Sequence, residues 1–178
     1  MTDKKRLGVL FSIGSNINPH QNVINVLERL LKQFPEIVVS RILKIPPVGM
    51  TSHQDFLNLV VFIATEMELS ALKSLFNKIE TDLGRDRSDP NCKIKDRPAD
   101  LDILLEVTNF ADFSQPVEQI TDERFLYPLI TELCAYLTAK NQPVMQKGVT
   151  IQLGELALGQ TATTINRQTT GCDKRISH

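Results

Sequence analysis

Residues 80–105, ETDLGRDRSDPNCKIKDRPADLDILL, read as the last turn of a helix, a basic polar loop and the opening of a strand. In an extended strand alternate side chains share a face, so Asp100 and Asp102 point one way and Leu101 and Ile103 the other. Two carboxylates roughly 7 Å apart on one strand face can grip a hard cation from one side. The remaining positions are left to water and phosphate oxygens, an arrangement that suits Mg²⁺ because it dehydrates reluctantly. A solvated strand edge is the competing reading of such a pair. The apolar run Leu101, Ile103, Leu104 and Leu105 tells against it, because it suits a strand at a sheet centre, where an acid needs a partner or an ion. Arg85, Arg87 and Arg97, with Lys93 and Lys95 between them, are suited to phosphate. For any one of these cations, an exposed loop charge is the commoner role.

Upstream, Leu72, Leu75, Phe76, Ile79 and Leu83 recur at helical spacing and predict a helix over 70–83, with Ser70 placed to cap it and Glu80 beside the stripe near its end. Residues 56–64, FLNLVVFIA, are apolar enough for a central strand, and the amide of Asn58 inside it must find partners in backbone, water or ligand. A strand over 37–45 precedes it, ended by Pro46-Pro47 and Gly49. Before that, Val23, Val26, Leu27, Leu30, Leu31 and Phe34 mark a helix over 20–34 closed by Pro35, and residues 7–13 form a first strand ending at Gly14-Ser15-Asn16.

The order β-α-β-β-α-β predicts an α+β, ferredoxin-like sandwich with helices on one sheet face. A further helix over 129–139 and a short strand over 148–151 follow. The expected organisation is a single domain over 1–158 with a flexible tail over 159–178, where no apolar period is present.

Composition narrows the function classes. A chain of 178 residues suits one domain, and 20 Lys plus Arg against 21 Asp plus Glu give a net charge of −1, which supplies no bulk attraction to nucleic acid. Cys92, Cys134 and Cys172 are odd in number and widely spaced, as in a reducing compartment. The start, MTDKKRLGVLFSIG, has only a short apolar run and no cleavage pattern, and no run of about 18 apolar residues occurs anywhere. A cytoplasmic location without membrane contact is therefore expected. His20, His53 and His178 have no catalytic setting.

Taken in order, Gly14-Ser15-Asn16, Pro46-Pro47-Val48-Gly49, Phe56-Leu57-Asn58, Glu80, Gly84-Arg85-Asp86-Arg87 and Arg97 with Asp100-Leu101-Asp102 resemble the 6-hydroxymethyl-7,8-dihydropterin pyrophosphokinase family of folate biosynthesis, over about residues 7–158. The resemblance implies transfer of pyrophosphate from ATP to the pterin hydroxymethyl group, with two Mg²⁺ ions on Asp100 and Asp102. It assigns catalysis to Arg85, Arg87 and Arg97, the pterin to Pro46, Val48, Phe56, Asn58 and Phe125, and ATP to Asn77, Glu80, Ile103 and Arg124. It implies a monomer or weak homodimer with ATP and a dihydropterin as its ligands. The chain departs from the family's pattern where Pro116 is followed by Val117 rather than His, where Ile94 stands in place of a loop aromatic, and at Ile45 and Pro98-Ala99. A diverged relative that binds pterin or nucleotide with little or no catalysis is the alternative, and an interaction module that keeps only the sandwich is a third reading.

Overall fold

The computed structural model describes residues 5–142, 145–168 and 170. Its elements run β1 (Gly8–Ser15), α1 (Pro19–Gln33), β2 (Glu36–Val39), β3 (Leu43–Ile45), β4 (Phe56–Ile63), α2 (Leu69–Asp82), β5 (Asp100–Val107), α3 (Val117–Ile120), α4 (Tyr127–Leu137), β6 (Ile151–Leu153), β7 (Leu156–Leu158) and β8 (Thr163–Asn166), with 3₁₀ turns at Phe110–Ser114 and Arg124–Leu126. The main sheet has the order β5-β1-β4-β2-β8 with β3 also on β4, and every pairing in it is antiparallel. The molecule is an α+β protein.

The local rules act as expected in the two long helices. Asn18 turns in the left-handed region at φ 41°, ψ 53°, and Pro19 follows at the first helical position, where its missing N–H costs no bond. Val23, Val26, Leu27, Leu30 and Leu31 are buried, and Phe34, before Pro35, is extended at φ −121°, ψ 130°. In α2 the cap position falls on Glu68, without a side-chain cap, and Ser70 lies inside the helix, where its carbonyl accepts from Ser74 Oγ at 2.9 Å. Ser70 is therefore not the cap.

Alternation along β1 divides the core. Val9, Phe11 and Ile13 pack with α1 and α2, whereas Leu10 packs with Leu129, Ile130 and Leu133 of α4. Helices therefore cover both faces of the sheet, not one as expected. The strand expected over 37–45 splits because Ile42 bonds elsewhere: its N–H donates to the Gly159 carbonyl at 2.9 Å and its carbonyl accepts from Val149 N–H at 2.8 Å. Beside the break, Ser40 Oγ stands in for a ladder carbonyl by accepting from Val60 N–H at 2.9 Å. β5 lies at a sheet edge and not at its centre. Its register on β1 shifts between Leu10↔Leu105 and Phe11↔Ile103, a bulge that sends Leu104 and Leu105 to the α4 side while Leu101 and Ile103 stay with α1 and α2.

The carboxyl-terminal segment departs most from expectation. The short strand expected over 148–151 is replaced by the β6–β7 hairpin, with Ile151↔Leu158 and Leu153↔Leu156 paired. The sheet then runs past residue 158, because β8 pairs with β2 and buries Ile165 completely. The last part of the expected tail, 171–178, with Cys172 and His178, lies outside the described residues. Glu132, 0% exposed, fastens this segment by accepting from Ala162 N–H at 3.1 Å while its other oxygen pairs with Arg41 Nε at 3.1 Å. Among the described residues no helix is long and apolar enough to cross a membrane.

Removing one partner of a buried ion pair leaves the other charge desolvated. Glu132→Ala is expected to cost about 3–5 kcal/mol of unfolding free energy, read as a lower urea midpoint. An unchanged midpoint would show that the carboxyl-terminal strand does not depend on this carboxylate.

Candidate active site

The α4 side of the sheet opens beyond Leu10, toward the carboxyl end of β1. Along β1 the residues on this face change from Leu10 to Ser12 and Gly14, which removes the apolar filling. The antiparallel register sets Asn58 and Asp100 on either side of Gly14, and Asp102 beside Ser12. These residues line a cleft of about 170 Å³, bordered by Ile45, Pro46, Val48 and Met50 from the chain after β3, Lys93 and Arg97 from the loop before β5, and Phe56, Glu123 and Phe125. Gly14 is needed for this close approach, since a Cβ there would lie 2.9 Å from Asn58 Oδ1.

Beneath the cleft lies a charge network centred on Glu80, which is 0% exposed at the end of α2. Its Oε1 accepts from Leu101 N–H at 2.8 Å and its Oε2 from Arg87 Nε at 2.8 Å, with Arg87 Nη2 also on Oε2. Gly84, at φ +103°, reverses the chain so that Arg85 N–H reaches back to the Glu80 carbonyl at 3.0 Å. Arg85 Nη1 then lies 3.2 Å from Glu80 Oε1 and donates to Asp100 Oδ1 at 2.6 Å. Arg97 Nη1 holds the other oxygen of Asp100 at 2.7 Å, and its guanidinium lies 6.0 Å from the Phe56 ring centroid. Burial works against the Arg85 charge, but Asp100 and Glu80 outweigh it and raise its pKa.

Two features suit this cleft to an anionic, metal-bound ligand. The Nε–H groups of Arg85 and Arg97 are buried without a partner among the described residues, and a phosphate oxygen would satisfy such donors. No group of three or more His, Cys, Asp or Glu side chains gathers as a metal cage among the described residues. Asp100 and Asp102 are instead a two-carboxylate face, the donor set with which Mg²⁺ is held when substrate phosphates supply the rest. The carboxyl of Asp102 is raised by loss of surrounding water, then by the charges of Asp100 and Glu80, against the pull of Arg85 and Arg87. Glu123 is raised by the same loss of water and by Asp102 and Asp100.

Of the residues singled out in the sequence, Pro46, Val48, Phe56, Asn58, Arg97, Asp100, Asp102 and Phe125 meet in the cleft wall, and Arg85 and Arg87 join through the network beneath it. Asn77 and Arg124 are exposed outside the wall, and Ile103 packs on the core. Ile94 is exposed and Lys95 pairs with Asp89 in the loop. Sequence reasoning missed Ser12, Met50 and Glu123. Glu123 had one available signal, its place beside Arg124-Phe125.

The sequence model described as 7,8-dihydro-6-hydroxymethylpterin-pyrophosphokinase matches residues 10–135, which include every residue of the cleft. The chain is 29% identical over 148 residues to the 2-amino-4-hydroxy-6-hydroxymethyldihydropteridine pyrophosphokinase of Bacillus subtilis (strain 168), covering 79% of this chain and 87% of that protein. It is 32% identical over 99 residues to the protein of the same name from Porphyromonas gingivalis (strain ATCC BAA-308 / W83), covering 54% of this chain and 67% of that protein. It is also 31% identical over 112 residues to the bifunctional protein FolKE of Lactococcus lactis subsp. lactis (strain IL1403), 61% of this chain and 30% of that protein.

A carboxyl whose pKa is raised by folding contributes stability that is complete below the unfolded value and is lost as pH rises through the raised native value. Asp102→Asn is therefore expected to raise the Tm of the ligand-free protein slightly at neutral pH, the exposure of Asp102 to solvent keeping the gain small, with the advantage shrinking as pH falls toward about 4. Thermal melts of both proteins across that range check this, and a variant less stable than wild type at pH 7 would contradict it.

Proposed function

The chain belongs to the 7,8-dihydro-6-hydroxymethylpterin-pyrophosphokinase family and is an ATP-dependent pyrophosphokinase, and we propose that it transfers the β,γ-pyrophosphoryl group of ATP to the hydroxymethyl group of 6-hydroxymethyl-7,8-dihydropterin in folate biosynthesis. The observation that carries this reading is a cleft in which paired carboxylates, Arg97 and an aromatic slot beside a buried amide meet, with Arg85 beneath it and the buried Nε–H of both arginines without a partner among the described residues. In the reaction the hydroxymethyl oxygen attacks the β-phosphorus of ATP and the bond from that phosphorus to the α,β-bridging oxygen breaks. AMP leaves, and the hydroxyl proton is released.

Such a transfer is mostly positioning and charge neutralisation. Asn58, with two donors and an acceptor, matches the amide edge of the pterin, and Phe56 and Phe125 offer their rings to its faces, with Pro46 and Val48 at its border. Arg85, Arg87 and Arg97 bind the charge that spreads over the phosphoryl oxygens. Asp100 and Asp102 would hold two Mg²⁺ ions, which when bound neutralise attacking and leaving oxygens in an in-line displacement. Asn77, Ile103 and Arg124 are assigned to the nucleotide side. Glu80, whose carboxylate is taken up by Arg85, Arg87 and Leu101 N–H, serves ATP through the arginines it holds.

The ferredoxin-like reading of the sheet is supported by the order β5-β1-β4-β2 and its antiparallel pairings. A monomer or weak homodimer in the cytoplasm, without nucleic acid or membrane contact, completes the proposal. The alternative, a relative that binds without catalysis, rested on the missing Pro-His pair together with Ile45 and Pro98-Ala99. It is not favoured, because Pro116 and Val117 open α3, outside the cleft wall, and leave the carboxylate–arginine network intact.

The test is AMP release from ATP in the presence of Mg²⁺ and the hydroxymethyl dihydropterin. Wild type is expected to turn over, and Asp102→Ala and Arg97→Ala each to lose roughly 10²–10³-fold or more in kcat. Ligand binding by calorimetry without AMP release from wild type would favour the non-catalytic binder, and absence of both would leave only the sandwich module.

A further inference from the structure

Asn16 is the last member of the turn triplet at the end of β1, and the reaction above gives it no role. It is 1% exposed and bonds to two separate loops. Toward the arginine loop, its Oδ1 accepts from Arg97 N–H at 2.7 Å, its own N–H donates to the Arg97 carbonyl at 3.1 Å, and its Nδ2 donates to Asp96 Oδ1 at 2.9 Å. Toward the loop after β3, the same Nδ2 lies 3.4 Å from Ser52 Oγ and 3.4 Å from the Gln54 carbonyl. Both main-chain polar groups of Arg97 are thus fixed by one residue, and from that fixed backbone the Arg97 side chain reaches Asp100. The other loop carries Pro46, Val48 and Met50 into the cleft.

The donor pattern explains the residue type. Only an amide presents an acceptor to Arg97 N–H and, on its other arm, donors to a carboxylate and a carbonyl. Aspartate would keep the first bond and set a negative charge against Asp96. We propose that Asn16 is a positioning residue that couples the loop bordering the pterin slot to the arginine loop, so that nucleotide and pterin each bind more tightly when the other is present. This rests on the functional reading above.

The test is calorimetric titration with 6-hydroxymethylpterin, with and without Mg²⁺ and α,β-methylene ATP, whose α,β bridge cannot be cleaved, together with steady-state kinetics. In wild type the nucleotide analogue is expected to tighten pterin binding about 5–150-fold. In Asn16→Ala that factor is expected to fall to about twofold or less, with kcat down about 100-fold and the KM for ATP changed far less. Asn16→Asp is expected to behave as badly, since its oxygen would face both the Asp96 carboxylate and the Gln54 carbonyl. Asp96→Ala, which leaves Asn16 in place, gives a partial loss of coupling and carries the test if the Asn16 variants do not fold. Wild-type coupling and kcat retained in Asn16→Ala would overturn the inference. A wild-type protein that binds both ligands without coupling overturns it alone, and one that binds neither overturns the functional reading with it.

Discussion

Asp100 is gripped by two guanidinium groups, Arg85 on one oxygen and Arg97 on the other, and much of the site depends on that contact. Three chain segments are committed by it: the end of α2 through Glu80 and Arg85, the basic loop through Arg97, and the first residue of β5. Buried charge is tolerated only when its partners are complete. The network is built accordingly, with Glu80 holding Arg85, Arg87 and a backbone N–H of the strand at once. In the proposed reaction the same charges exchange partners. Cations take the carboxylates while Arg85 and Arg97, whose Nε–H groups lack acceptors among the described residues, turn to phosphate oxygens.

The location of the network follows from the sheet. On one face of β1 the leucine that meets α4 gives way to serine and glycine, so the face stops being core and becomes a cleft floor. Gly14 leaves room for the Asn58 amide on one side, and Asp100 faces it on the other. In the proposed reaction, pterin and phosphate binding are thereby assigned to β4 and β5, the strands on either side of β1. Pro46, Val48 and Met50 come from one loop and Arg97 from another, and Asn16 lies between those loops.

Where local chemistry decided the structure, it was legible in the sequence. The stripes of α1 and α2, the proline stops and the apolar run of β4 are each set by nearby residues. Less legible were features decided by distant partners: the break between β2 and β3 depends on Gly159 and Val149, and β8 is four residues whose only fully buried side chain is Ile165. The edge position of β5 was hidden by a bulge, which lets a run of leucines serve two core layers without lying at the sheet centre. The site divides in the same way. Asp100, Asp102 and Arg97 lie on one short segment and announce themselves by spacing, whereas Glu123 and Met50 are isolated residues that reach the cleft only through the tertiary path of the chain. Asn77, Ile103 and Arg124 came from resemblance alone and lie outside the cleft wall.

The central claim is that the Asp100–Asp102 face holds cations that carry the ATP phosphates. It is tested most directly by anomalous diffraction from crystals grown with Mn²⁺ in place of Mg²⁺ and α,β-methylene ATP. Two anomalous peaks within coordination distance of Asp100 and Asp102, with Arg97 turned from Asp100 to a phosphate oxygen, are the expected result. Bound nucleotide with no metal on that strand face, and with Asp100 still gripped by both arginines, would contradict it.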